Sequence, residues 1–162
     1  MKSGDVIISV NGHDIQDPEA MQFRMATAAI GTDVHLMVLR GGKSFPLTMK
    51  AEAPPEIPAR DTYKIDGNSP LSGTTVENIS PAVADEVGLS FEDTGVAVTA
   101  VENGSPAARL GLQIGDVIQR VNGADTPAVL ELKTAIGAST QIRRWQVMIK
   151  RGTQVLNLMI TL

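Results

Sequence analysis

The sequence predicts a mainly β fold with short helices, of the α+β class, and three observations carry that prediction. Apolar residues alternate with polar ones in several short runs, most of them closed by a glycine turn. Asp-Pro and Ser-Pro pairs stand where short helices would begin. The segment GDVI followed by VNG is written twice, at residues 4–12 and 115–123, so one architecture is partly repeated. Only the second copy is preceded by GSPAARLGL.

Taken in order, Val6, Ile8 and Val10 alternate with Ile7 and Ser9 as a strand that turns at Asn11-Gly12. Asp17, Pro18 and Glu19 read as N-cap, first-turn proline and dipole-favouring acid. The helix they start runs to about Ala29 with Met21, Met25 and Ala28 on one face, and Gly31 ends it. Val34, Leu36 and Val38 set strand spacing, residues 40–43 turn, and Phe45, Leu47 and Met49 return. Residues 52–68 hold Pro54, Pro55 and Pro58 among charges with no apolar period, and are expected to be a stiff linker. From residue 69 a new unit begins, with a strand at 74–79 and a brief helix between Ser80-Pro81 and Gly88. A strand at 95–101 leads to a second short helix between Ser105-Pro106 and Gly111. Val117 to Val121 form the next strand, turning at Asn122-Gly123. Thr126-Pro127 is expected to start a longer helix with Val129, Leu132, Lys133 and Ile136 at helical spacing. Trp145, Val147 and Ile149, a turn at 151–153, and Leu156, Leu158, Ile160 and Leu162 complete the chain. Aligned on GDVI, the hairpin at 34–49 falls on the hairpin at 145–160.

Composition narrows the function. The 162 residues are 43% hydrophobic and 20% charged, ordinary for one domain or two small ones, and only 3% aromatic, so the core must be aliphatic. A net charge of −4 gives no electrostatic case for nucleic acid. No apolar run is long enough to span a bilayer, and the start MKSGDVI lacks a signal-peptide core. With no cysteine there is no disulfide and no thiolate chemistry. His13 and His35 stand isolated, without the spacing of metal ligands. The segment GNSP at 67–70 shares GNS with trypsin-like nucleophile loops, but Pro70 removes an N–H where an oxyanion hole needs donors. Nucleophile-elbow, phosphate-loop and dinucleotide motifs are missing. We therefore predict no catalytic residue, no metal and no cofactor. The Gly-Asp of GDVI reads as a positive-φ turn whose carboxylate accepts nearby backbone N–H groups.

The run GVAVTAVENGSPAARLGLQIGDVIQRVNG resembles the PDZ domains of bacterial Do/HtrA-type (DegP-like) serine proteases in its SPAA, GL and GDVI punctuation. The resemblance implies a PDZ-like, partly open antiparallel β-barrel or sandwich capped by helices. It makes 69–162 a complete second PDZ domain and 1–51 the C-terminal half of a first one, with 52–68 as the linker. It further implies that Leu71, Ser72, Gly73 and Thr74 form a loop binding a ligand's terminal carboxylate. The strand bearing Val76 and Asn78 would receive a peptide, and the helix bearing Leu132, Lys133 and Ile136 would form the opposite wall. An open strand edge and a glycine turn suit those roles physically. Leu71, Val76, Leu132 and Ile136 would line a pocket for an apolar terminal side chain. Thr74, Thr75, Glu77 and Asn78 make the receiving strand polar. The first copy lacks these binding elements, and its uncovered apolar face is expected to be met by the second copy, another chain or a swapped element.

The function implied is a non-catalytic region of a trypsin-like periplasmic endopeptidase. It would capture C-termini or extended strands of unfolded proteins and contribute to assembly of the parent. The alternatives are a structural or oligomerisation spacer without a ligand, or the PDZ region of another bacterial protease class.

Overall fold

The computed structural model describes residues 1–90, 92–139 and 141–162. Two compact units result, Met1–Ala53 and Pro54–Leu162.

In the first unit, β1 (Val6–Val10), β2 (His13–Asp14), α1 (Pro18–Ala26), β3 (Asp33–Arg40) and β4 (Lys43–Lys50) follow in sequence. The strands form an antiparallel sheet of order β2-β1-β3-β4. Asp17 caps α1 by accepting the Ala20 N–H at 2.7 Å. Val10, Val34, Leu36, Val38 and Ala51 are the buried core, with Met21, Met25 and Ala28 packed against it. The simple alternation expected for β1 fails, because the β1–β3 register shifts between Ile7 and Ser9. This bulge turns Val6 outward, 55% exposed, while Val10 is fully buried.

The second unit contains β5 (Tyr63–Lys64), β6 (Thr74–Asn78), α2 (Pro81–Val87), β7 (Val96–Val101) and α3 (Pro106–Arg109). They are followed by β8 (Val117–Val121), β9 (Ala124–Asp125), α4 (Val129–Ala138), β10 (Arg144–Arg151) and β11 (Gln154–Thr161). Its open antiparallel sheet runs β11-β10-β8-β7-β6-β5, with β9 on β8. The fold is thus mainly β with short helices, as expected. Ser80 and Ser105 cap α2 and α3 by accepting the N–H groups of Val83 and Ala108 at 3.2 and 3.0 Å. One cluster, aliphatic apart from Trp145, joins sheet and helix through Val76, Ile118, Leu132, Ile136 and Ile149.

Two expectations need correction. Residues 52–68 are not linker throughout: β5 pairs with β6, and Ile65 beside it is fully buried in the core cluster. The prolines stop at Pro58, and the alternation of Tyr63 and Ile65 with Thr62 and Lys64 is too brief to register as a period. The longest helix of the second unit also starts later than expected, at Val129 rather than at Thr126-Pro127. Its N-cap is Ala128, which makes no side-chain bond. Thr126 is instead buried, its hydroxyl donating to the Ile118 carbonyl at 3.2 Å.

The repeat is structural as well as textual. The β8–β10 register shifts between Met148 and Ile149 and skips Gln119, the counterpart of the bulge at Ile8. Asn11 and Asn122 both take positive φ, 48° and 50°. Each exchanges two bonds with a strand residue: Asn11 with His35 at 2.7 and 2.8 Å, Asn122 with Gln146 at 2.8 Å twice. The carboxylates of the two GDVI segments accept Lys2 and Gln113 backbone N–H groups. Each also receives two guanidinium bonds, Asp5 from Arg40 and Asp116 from Arg151, at 2.6 and 2.7 Å in both cases.

Candidate peptide-binding groove

The loop at 71–74 is shaped by Gly73. Its φ is +88°, and a Cβ there would lie 2.2 Å from the Ser105 Cβ, so conformation and space both demand glycine. Leu71, Ser72 and Thr74 are buried. Their amides are occupied within the turn: Leu71 N–H donates to Ser69 Oγ, Ser72 N–H to the Ser69 carbonyl, and Thr74 N–H to the Leu71 carbonyl. Only the Gly73 N–H of these four is directed out of the turn, and it donates to the Ile65 carbonyl at 2.9 Å.

From this loop β6 runs beside α4. Asn78, at the end of β6, holds the two together: its Oδ1 accepts the Val129 N–H at 2.8 Å, supplying from another element the cap that α4 lacks. Leu71, Val76, Leu132 and Ile136 fall in one buried cluster. Lys133 stands on the rim, its side chain 35% exposed.

The outer edge of β6 is not open. Tyr63 and Lys64 pair antiparallel with Val76 and Thr75, and Ile65 N–H donates to the Thr74 carbonyl at 2.8 Å. At the other end, Asn78 donates its backbone N–H to the Arg60 carbonyl at 2.7 Å and its side-chain amide to the Ala59 carbonyl at 2.9 Å. Asp61 turns the chain with a φ of 46°, and the residues after it sort their side chains by strand period. Ile65 is fully buried in the cluster of Leu132 and Ile136, which contributes about 2 kcal/mol of apolar burial. Tyr63 packs against that cluster, with Lys133 Nζ 4.7 Å from its ring centroid and 3.3 Å from Asp61. Arg60, Thr62 and Lys64 alternate onto the other side. Glu77 accepts from Thr62 and Arg60 at 2.9 and 3.2 Å, and Glu102 from Lys64 at 2.6 Å. Hydrogen bonds to Glu86 and Glu56 hold the Arg60 guanidinium above its ordinary pKa, and the Arg60 bond holds Glu86 below its own.

The structure therefore brings the nine residues singled out in the sequence to one loop, one strand and one helix. The residues beside this candidate groove that sequence reasoning missed are Asp61, Tyr63 and Ile65, whose only signal is the brief alternation of Tyr63 and Ile65. Elsewhere, His13 is exposed and His35 Nδ1 lies 3.2 Å from Thr48 Oγ1. Among the described residues no group of three or more histidines or acids is placed to hold a metal, and no helix is long and apolar enough to cross a membrane.

The PDZ domain family profile matches residues 70–162, more than half of the chain. The chain belongs to the PDZ domain family. The matched region begins just before the Gly73 loop and includes β6, α4 and the β10–β11 hairpin. A probable periplasmic serine endoprotease DegP-like of Chlamydia trachomatis is 32% identical over 84% of this chain and 26% of its own length. The protein of the same description in Bartonella henselae is 31% identical over 100% of this chain and 32% of its own. The chain thus spans about a quarter to a third of these curated relatives. A solved structure, the HtrA3 PDZ domain bound to a phage-derived ligand (FGRWV), is 27% identical, covers 62% of this chain and 84% of that one, and has a TM-score of 0.44. The DegP-like relationship read from the sequence is borne out, and the PDZ domain here is one whose β6 edge already carries a strand.

Proposed function

We propose that this chain is the non-catalytic peptide-binding region of a DegP-like serine endoprotease of the bacterial periplasm. The PDZ domain at 70–162 takes extended polypeptide by strand addition to β6, against the wall formed by α4. One observation carries this reading: the short strand Tyr63–Lys64 already pairs with β6, and Ile65 after it places an apolar side chain in the cluster of Leu132 and Ile136. Periplasmic location and a proteolytic parent rest on the names of relatives that this chain covers only in part. In such a parent the groove would hold C-termini or exposed strands of unfolded proteins. The Gly73 N–H donates to the ligand's last carbonyl or carboxylate, and Leu71, Val76 and Ile136 surround its apolar side chain. Residues 1–51 serve as the C-terminal half of a further PDZ copy, supported by the shared bulge, asparagine turn and Asp–Arg pair. Exposed Phe23, Phe45 and Met49 give that unit a surface for self-association.

Titration of the chain with peptides ending in Ile or Val, as free acids and as amides, tests the groove. Binding that Gly73→Val abolishes in a folded protein supports it, and no binding at millimolar concentration even when residues 60–65 are loosened from the β6 edge refutes it. A structural spacer without ligand is the second reading, favoured by the occupied β6 edge. Cleavage of unfolded casein by the pure chain would overturn the non-catalytic assignment.

A further inference from the structure

Residues 60–65 do more than decorate a sheet edge. The segment enters the groove with the side-chain order a bound peptide would need. Ile65 fills the apolar cluster, Tyr63 lies under Lys133, and Asp61 reaches the same ammonium. Its main chain meets the groove at both ends, at Gly73 and Thr74 through Ile65 and at Asn78 through Arg60. A regular ladder covers only two residues between these points. The chain does not terminate in the loop: Ile65 offers one peptide carbonyl to the one loop amide directed outward. Asp66, Gly67 and Asn68 beyond it are exposed, so the hold is one apolar anchor, a short ladder, the bonds of Arg60 and Thr62 to the buried Glu77, and several surface ion pairs. Surface pairs of this kind contribute little each, whereas tethering places the segment at an effective concentration of about a millimolar.

We propose that residues 60–65 are a ligand bound in cis, and that the groove takes external peptides of the same pattern by displacing them. That pattern is an aliphatic residue at the Gly73 end, an aromatic residue two before it, and an acid four before it, the last two read by Lys133. The inference rests on the peptide-binding reading above and deepens it. Because the bound carbonyl belongs to a peptide bond, an internal strand of a partner suits the site as well as a chain end.

The probe is an acetylated and amidated peptide carrying residues 59–67, titrated into the full chain by fluorescence anisotropy. Asp61→Ser with Tyr63→Ser loosens the tethered segment while leaving Ile65 and the groove intact, and Trp145 fluorescence checks the fold. We expect the double variant to bind the probe at least ~10-fold more tightly than the natural chain. Adding Lys133→Ala should remove most of that gain, but leave unchanged the binding of a probe with Ser at both variant positions. Equal, measurable affinities in natural chain and double variant overturn the cis ligand and leave the groove standing. No binding to either, with β6 amides freed in the double variant, overturns the groove itself and the inference with it. An arm without substitution uses amide exchange of the natural chain. Saturating probe should strip protection from the Ile65 N–H, and retained protection with probe bound overturns the proposal.

Discussion

At the scale of single residues, the Asp of GDVI is an anchor, and its partner is what sequence reading does not supply. Asp116 has a side chain 1% exposed and satisfied by Arg151 and the Gln113 amide. Local chemistry makes the glycine–aspartate turn legible, but Arg151 stands 35 positions away and is delivered by the β8–β10 register. Removing one member of a buried pair leaves the other unsatisfied. Arg151 is itself 35% exposed, so the expected cost of Arg151→Ala is moderate, about 2 kcal/mol in urea unfolding followed by Trp145 fluorescence. Gly73 is a second such point. Gly73→Ala must relieve both a φ of +88° and the contact with Ser105, and is expected to cost about 2–3 kcal/mol of stability, more than an ordinary surface change.

At the scale of elements, α4 depends on β6 for its start. Asn78→Ala leaves the Val129 N–H without its acceptor, and should destabilise the second unit by about 1 kcal/mol. Faster amide exchange at Val129 than in the centre of α4 is the local readout. In the first unit the β1 entry is tied to the end of β3 by Asp5 and Arg40. Hydrogen bonds from Arg40 and then the Lys2 N–H hold the Asp5 carboxyl far below its ordinary value of 3.8. Since the folded pKa lies below the unfolded one, this contribution is complete above the ordinary value and is lost as pH falls from 3.8 toward the folded value. Protection of β1 and β3 amides should therefore fall with acidification below about pH 4, and Asp5→Asn should flatten that dependence.

At the scale of the molecule, two units carry separate cores of very different size. The first rests on Val10, Val34, Leu36, Val38 and Ala51, with no residue of α1 fully buried. The second combines a larger cluster with the fully buried Ile118, Leu132 and Ile149 and the nearly buried Trp145. Stability follows apolar burial, so denaturant should release the amides of β1 and β3 before Trp145 fluorescence changes. Coincident transitions would show that the two cores unfold as one.

What the sequence by itself determined is everything that depends on neighbours along the chain. Period-two runs gave the hairpins, Asp17, Ser80 and Ser105 gave three helix starts, and SPAA, GL and GDVI gave the PDZ domain. Residues 71–78 and 129–136 were legible as one loop, one strand and one helix for the same reason. Only the tertiary structure decided what meets across distance: Arg151 on Asp116, Asn78 on the start of α4, and residues 60–65 on the β6 edge. Those contacts are fixed by register and by competition for buried space, which no local pattern encodes. A stretch dominated by Pro54, Pro55 and Pro58 reads as linker, and a single buried Ile65 is enough to make its end part of the second unit's core.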